Sequence, residues 1–224
     1  MHFFHTAVAD TFFIFLRVHH SSGEHMAAHR IRRSEVHRQT RETDIRLSFA
    51  LDGTGQAEIK SGVPFMDHML TLFAVHGFFD LTVHASGDTE VDDHHTVEDL
   101  GICLGQALSK SLGDFSSIRR YGFSSLPMDE TLVRVTMDCC NRPYLHYGVR
   151  LPEQKVGDFD TQLTKEFLRA FALHGGLTLH VEMVHGENSH HILEAIFKAL
   201  GRALDEATGP ESRSRGPLSS KGAL

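Results

Sequence analysis

The pattern His-His-x-x-Glu occurs twice in this chain, as His94-His95-Thr96-Val97-Glu98 in "DDHHTVED" and as His190-His191-Ile192-Leu193-Glu194 in "NSHHILEA". The residues around the two copies also match. "DHMLTLFAVHGFFDLTVHASGDTEVDDHHTVEDLGICLGQAL" aligns with "KEFLRAFALHGGLTLHVEMVHGENSHHILEAIFKALGRAL", which sets His76-Gly77 on His174-Gly175 and His68 on Glu166, with two residues' difference in length. A match of this extent makes the chain a duplication, so its fold has to hold one αβα-containing unit twice.

Within each unit the apolar spacing alternates between helical and extended periods. "VPFMDHMLTLFAVHG" has helical spacing and ends at glycine, as helices often do. "FDLTVHAS" alternates like a half-buried strand. "DDHHTVEDLGICLGQALSKSLG" predicts a helix with Asp92 or Asp93 as N-cap. In the second unit "TKEFLRAFALHG", "LTLHVEMV" and "SHHILEAIFKALGRALDEATG" repeat the order, and "ETDIRLSFALDGTG" and "ETLVRVTMDCCNRPYLHYGVR" begin the halves with alternating strands. The expected architecture is α+β, an internally duplicated strand-helix unit with helices packed between or against two mostly β sheets. The expected organisation is an extension over 1–32, a domain over 33–209 made of repeats at about 40–125 and 126–209, and a C-terminal tail over 210–224.

On a helix, residues i and i+4 share a face, whereas i and i+1 diverge by roughly 100°. His94 and Glu98 can therefore grip one ion together, and so can His190 and Glu194. His95 and His191 point away, which suits them to bridge between sites. One ion can take His94, Glu98 and His191, another His190, Glu194 and His95, with His68 and Glu166 completing one set each. Imidazole and carboxylate without thiolate suit a first-row ion such as manganese, iron, cobalt, nickel or zinc. Four protein donors on an octahedral ion leave two positions open, which favours catalysis over a closed structural site. A lone His-x-x-x-Glu pair is more often a helix-surface contact; two copies inside aligned repeats favour metal binding.

Composition narrows the alternatives. The formal net charge of −7 over 224 residues argues against a nucleic-acid surface. Three cysteines, two of them adjacent, imply no disulfide framework and fit a reducing, cytoplasmic setting. The histidine-rich start carries the apolar patch "TFFIFL", too short to span a bilayer, and it lacks a signal-peptide pattern; it reads as a disordered or mis-started extension with Met26 as a candidate start. No membrane association is expected. Arg119, Arg120, Arg142 and Lys198 fall near proposed strand ends or on the second motif helix, and Lys221 lies in the tail. Each is singly a solvated charge, or jointly an anion site. "SSKG" at 219–222 offers hydroxyls, an ammonium and backbone N–H groups that can wrap a phosphate.

Together, "RETDIRLSFALDGTGQAEIKSGVPFMDHML", "HGFFDLTVHASGDTEVDDHHTVEDLGICLGQAL", "NRPYL", "GENSHHILEAIFKALGRAL" and "SSKG" resemble the imidazoleglycerol-phosphate dehydratase family of histidine biosynthesis, from about Arg33 to Leu224. The resemblance implies dehydration of D-erythro-1-(imidazol-4-yl)glycerol 3-phosphate to imidazole-acetol phosphate through a manganese-stabilised imidazolate, with two Mn2+ per active site. One ion is expected on His68, His95, His190 and Glu194, the other on His94, Glu98, His191 and position 166. The family form on which this partition rests has histidine at 166; this chain has Glu166, still a manganese donor. Arg120, Arg142, Lys198, Ser219, Ser220 and Lys221 match substrate contacts, largely around the phosphate, and His68 belongs to the same site. Glu42 and His76 match further substrate-site positions. The residues expected to take part in the chemistry are Glu42, His76, Glu98 and Glu194, with Glu42 the candidate acid/base or a positioning group. The resemblance also implies helices between two sheets and a homo-oligomeric 24-mer with active sites between subunits. "ALDGTG" lacks the leading aspartate of the phosphatase motif found in fused members, so a monofunctional enzyme is expected. Two other readings stand beside this one: a non-catalytic, metal-dependent assembly protein, which needs no anion-binding set, and a two-metal hydrolase, which needs a bridging carboxylate.

Overall fold

The computed structural model describes residues 32–214 and 216–222. The expectations for the N-terminal extension lie outside these residues.

The chain runs through two units of matching order. The first comprises β1 (Arg33–Gln39), β2 (Thr43–Ala50), β3 (Ala57–Lys60), α1 (Pro64–Gly77), β4 (Asp80–Gly87) and α2 (His94–Leu112). The second comprises β5 (Tyr121–Met128), β6 (Thr131–Cys139), β7 (Tyr144–Gly148), a short hairpin of β8 (Lys155–Val156) and β9 (Phe159–Asp160), α3 (Leu163–Gly175), β10 (Leu177–His185) and α4 (Ser189–Thr208). The two main sheets have equivalent strand orders, β1-β2-β4-β3 and β5-β6-β10-β7. In each, the last pair is parallel and the others are antiparallel. The fold is α+β and duplicated.

The sheets begin earlier than the sequence pattern suggests. β1 precedes residue 40, and β5 lies across the expected boundary at 125/126 and pairs wholly with β6. Both are edge strands whose inward positions mix apolar residues (Val36; Leu126 and Met128) with small or polar ones. In β5, Gly122 and Ser124 face inward while Tyr121 and Phe123 face solvent. Gly122 has to be glycine, because a Cβ there would stand 1.9 Å from the Ala203 carbonyl oxygen of α4.

The central strands follow the simple rule. Ile45, Leu47 and Phe49 of β2, Leu81 and Val83 of β4, Val133, Val135 and Met137 of β6, and Leu177, Leu179 and Val181 of β10 alternate inward and are buried. They close on a helical layer in which pairing is crossed: α1 packs on α4 and α2 on α3. α2 also lies on β1 and β2, and α4 on β5 and β6, so the helices occupy the space between the sheets.

Equivalent glycines bring the backbones close in each crossed pair, and in α2–α3 Gly101 adds a second close point, where a Cβ would stand 2.5 Å from Phe167 O. A Cβ on Gly201 of α4 would stand 2.5 Å from Phe73 O and 3.0 Å from Gly77 N of α1; on Gly105 of α2 it would stand 2.8 Å from both Phe171 O and Gly175 N of α3. Among the described residues no helix is long and apolar enough to cross a membrane.

Candidate active site

Helix starts position the histidines. Asn188 caps α4, its side chain accepting from His190 N at 2.9 Å and His191 N at 3.4 Å. At α2 the roles of the two expected caps divide: Asp93 holds the cap position in the backbone, while Asp92 Oδ1 accepts from His94 N at 2.8 Å. α1 opens with Pro64, and Asp67 accepts from Ser61 N at 2.9 Å. His68 thus sits one turn into α1 and faces the start of α4.

There, His68, His190 and Glu194 present donor atoms that all lie within 4.8 Å of one another. His68 Nε2 is 2.8 Å and His190 Nε2 3.2 Å from Glu194 Oε1. Adjacent donors around an ion with bonds of about 2 Å stand about 3 Å apart, so the three fit one first-row cation. Lys198 Nζ donates to the other carboxylate oxygen at 2.6 Å. Burial works against ionisation of Glu194, but Lys198, His68 and His190 outweigh it and bring its pKa down to about 2. His76 lies within electrostatic reach; burial, then Lys198 and Arg202, lower its pKa, with Glu194 opposing them.

In the other unit, His94 Nε2 and Glu98 Oε2 pair at 3.6 Å across one helical turn. Glu166, which corresponds to His68, holds Arg169 at 2.7 Å. Among the described residues the set around Glu194 is the one group of three such donors this close together.

The neighbouring histidines face elsewhere, as helix geometry requires. His95 Nδ1 lies 3.0 Å from Asp88 Oδ2 and 3.9 Å from Glu42 Oε2. His191 Nδ1 lies 2.8 Å from Glu130 Oε2. The Asp88 hydrogen bond raises the pKa of His95, and the Glu130 hydrogen bond raises that of His191. The His191 contact, followed by the Asn188 N–H, holds the Glu130 carboxyl well below the usual range. Within one chain, neither His95 nor His191 joins the Glu194 set.

The basic residues form a separate cradle. Arg120, Arg142, Ser219, Ser220 and Lys221 line one cavity of about 620 Å3. Arg120 has an exposure of only 7% and is held bidentately by Asp138, at 2.6 and 2.9 Å; it also donates to the Leu218 carbonyl. Its backbone takes φ of 74°, uncommon for a non-glycine residue, fixed by Arg120 N–H to Ala207 O and Cys139 N–H to Arg120 O. Strand-like bridges at Ser116–Pro217 and Ile118–Pro210 bring the tail here. Lys198 does not belong to this cradle.

Sequence reasoning missed Asp88, Glu130 and Asp138. Glu130 carries a retrospective signal: "RET" at 41–43 and "DET" at 129–131 each precede the second strand of their unit, so Glu130 corresponds to Glu42.

A duplicated α+β scaffold with a histidine–carboxylate group close enough to hold a cation, and a separate basic, hydroxyl-lined cavity, has the features of a metal-site enzyme with an anionic substrate. The sequence profile described as imidazoleglycerol-phosphate dehydratase matches residues 61–204. The chain is 58% identical over 193 residues to the imidazoleglycerol-phosphate dehydratase of Syntrophobacter fumaroxidans, covering 86% of this chain and 98% of that protein. It is 55% identical over 194 residues to that of Bacillus subtilis strain 168, covering 87% and 100%. The crystal structure of imidazoleglycerol-phosphate dehydratase from Staphylococcus aureus subsp. aureus N315 superposes with a TM-score of 0.73 at 42% identity, over 80% of this chain and 99% of that one. The enzyme from Pyrococcus furiosus, in complex with (S)-C348, gives 0.73 at 39% identity, over 84% and 100%. The chain belongs to the imidazoleglycerol-phosphate dehydratase family, and it is a hydro-lyase.

Proposed function

We propose that the protein dehydrates D-erythro-1-(imidazol-4-yl)glycerol 3-phosphate to imidazole-acetol phosphate, a step of histidine biosynthesis, with two manganese ions per active site. The observation that carries this reading is the convergence of His68, His190 and Glu194 on one cation-sized point. Arg120, Arg142, Ser219, Ser220 and Lys221 support it as the holders of the phosphate. When bound, manganese supplies Lewis acidity at the azole ring, favouring its deprotonated form and departure of the adjacent hydroxyl. Glu42, exposed beside His95, is the candidate for moving the proton from the neighbouring carbon. Lys198 holds the Glu194 carboxylate, and His76 lies within electrostatic reach of both.

The ligand partition is one ion on His68, His95, His190 and Glu194, and the other on His94, Glu98, His191 and Glu166. His95 and His191 face away from the Glu194 set of their own chain, which supports donors being shared between copies of the chain. The assembly is accordingly a homo-oligomer with active sites between subunits; the size of 24 subunits rests on the family resemblance. The setting is cytoplasmic; three buried, unpaired cysteines support a reducing compartment.

The test is a product assay. Metal-stripped full-length protein is given the substrate with and without added manganese, and imidazole-acetol phosphate is measured. Product that appears only with manganese supports the reading; assembled protein that forms none with manganese present overturns it.

A further inference from the structure

Each outward histidine has its Nδ1 against a carboxylate that belongs to no proposed ligand set. Glu130 Oε2 stands 2.8 Å from His191 Nδ1; Asp88 Oδ2 and Oδ1 stand 3.0 and 3.2 Å from His95 Nδ1. An ionised carboxylate only accepts, so in each pair Nδ1 carries a proton and, in the neutral ring that binds a metal, Nε2 keeps the lone pair. A histidine whose second nitrogen is held in this way has its tautomer and ring orientation fixed.

We propose that Glu130 and Asp88 are positioning residues for the metal centre, which hold His191 and His95 in the tautomer that offers Nε2 to the ion and thereby leave Glu42 unengaged. The proposal rests on the metal reading above.

The duplication explains why the two halves differ. Glu42 and Glu130 occupy the same place, at the β1–β2 and β5–β6 hairpin tips. In the second unit the connection into α4 spans only 186–188, and Glu130 serves it directly: Oε1 accepts from Glu187 N at 3.3 Å and Asn188 N at 2.9 Å, while Oε2 takes His191. In the first unit the connection into α2 spans 88–93. There the backbone joins loop to hairpin tip, Asp88 N–H donating to Glu42 O at 3.1 Å, and the Asp88 side chain takes the histidine. Glu42 is left 3.9 Å from the ring, with its side chain 54% exposed. One hairpin glutamate is spent on the scaffold, and its counterpart remains available to substrate.

The two carboxylates answer differently to amide substitution. In Glu130→Gln the single carbonyl oxygen is claimed by the Glu187 and Asn188 N–H groups, so the NH2 group faces His191 Nδ1 and drives the proton to Nε2. In Asp88→Asn no other donor among the described residues competes for the oxygen, which still accepts from His95 Nδ1.

The experiment titrates metal-stripped full-length protein with manganese chloride, counts free Mn2+ by electron paramagnetic resonance, and records the melting temperature of each metal-free variant. Glu130→Gln is expected to weaken one of two manganese ions by about 10–100-fold with melting unchanged. Asp88→Ala is expected to weaken an ion similarly, and Asp88→Asn to restore most of the affinity. Parent-like affinity in Glu130→Gln, or an Asp88→Asn as weak as Asp88→Ala, overturns the proposal. Should Glu130→Gln melt early, the Asp88 pair decides alone. A parent chain that takes up no manganese is a separate failure, which removes the metal reading and this inference with it.

Discussion

His68 of α1 and Glu194 of α4 meet at 2.8 Å although 126 positions separate them in the chain. Their contact exists because α1 packs on the helix of the other unit, not on its own α2. Replacing Glu194 by Gln removes the negative charge on which two imidazoles and Lys198 converge. Manganese-dependent dehydration is expected to fall at least a hundredfold, about 2.7 kcal/mol, with the far-UV circular dichroism unchanged. Turnover within threefold of the parent would remove Glu194 from the site.

The low pKa of Glu194 also predicts an acid response of the metal-free protein. A folded-state pKa of about 2 lies below the ordinary value of 4.5, so the carboxylate favours the folded state fully above pH 4.5. That contribution is lost as pH falls from 4.5 towards 2. The stability difference between parent and Glu194→Gln, read from urea midpoints, should be greatest above pH 5 and should shrink below 4. A difference that does not vary with pH would contradict the assignment.

The close helix crossings make Gly201→Ala and Gly105→Ala informative about the scaffold. Each added methyl meets backbone, at 2.5 Å for Gly201 and 2.8 Å for Gly105. Each is expected to cost about 1–3 kcal/mol, and melting to fall by about 2–4 °C for every kcal/mol. Calorimetry on metal-free protein measures this directly, and Gly201, with the tighter approach, should suffer more.

In the anion cradle, Asp138 and Arg142 separate fold from binding. Asp138→Ala leaves the nearly buried Arg120 guanidinium without its bidentate partner and is expected to cost about 3 kcal/mol of stability. The Arg142 side chain is 63% exposed, so Arg142→Ala should alter stability by less than about 0.5 kcal/mol. Its expected signature is a KM raised about tenfold with kcat nearly unchanged, measured by steady-state assay.

The parts of this fold that show in the sequence are those where one residue's environment repeats at a fixed period. The central strands declare themselves through buried positions such as Leu47, Val83, Val135 and Leu179, and α1 to α4 through buried positions such as Phe73, Leu104, Phe171 and Leu200. β5 does not, because α4 approaches so closely that Gly122 must occupy the inward place while Phe123 faces out. β1 does not, because Val36 is the single apolar residue on its inward face, flanked by Ser34 and Arg38, which are satisfied by hydrogen bonds to Ala107 O and Asp99. The doubled motif exposed the pairing of His190 with Glu194 through helical spacing. Asp88, Glu130 and Asp138 stayed hidden because a lone carboxylate has no period, and its partner is chosen by tertiary folding.

The crossed helices have a consequence for the halves taken separately. Cut between α2 and β5, each fragment keeps a sheet and two helices, but the helix surface that closes α1 or α3 is on the other fragment. Since α1 relates to α4 as α3 relates to α2, the surface each fragment lacks is a near copy of one that it carries. A half-length polypeptide of this kind is therefore self-complementary: two such molecules could trade helices across a twofold axis and rebuild the layered core that the joined chain closes alone.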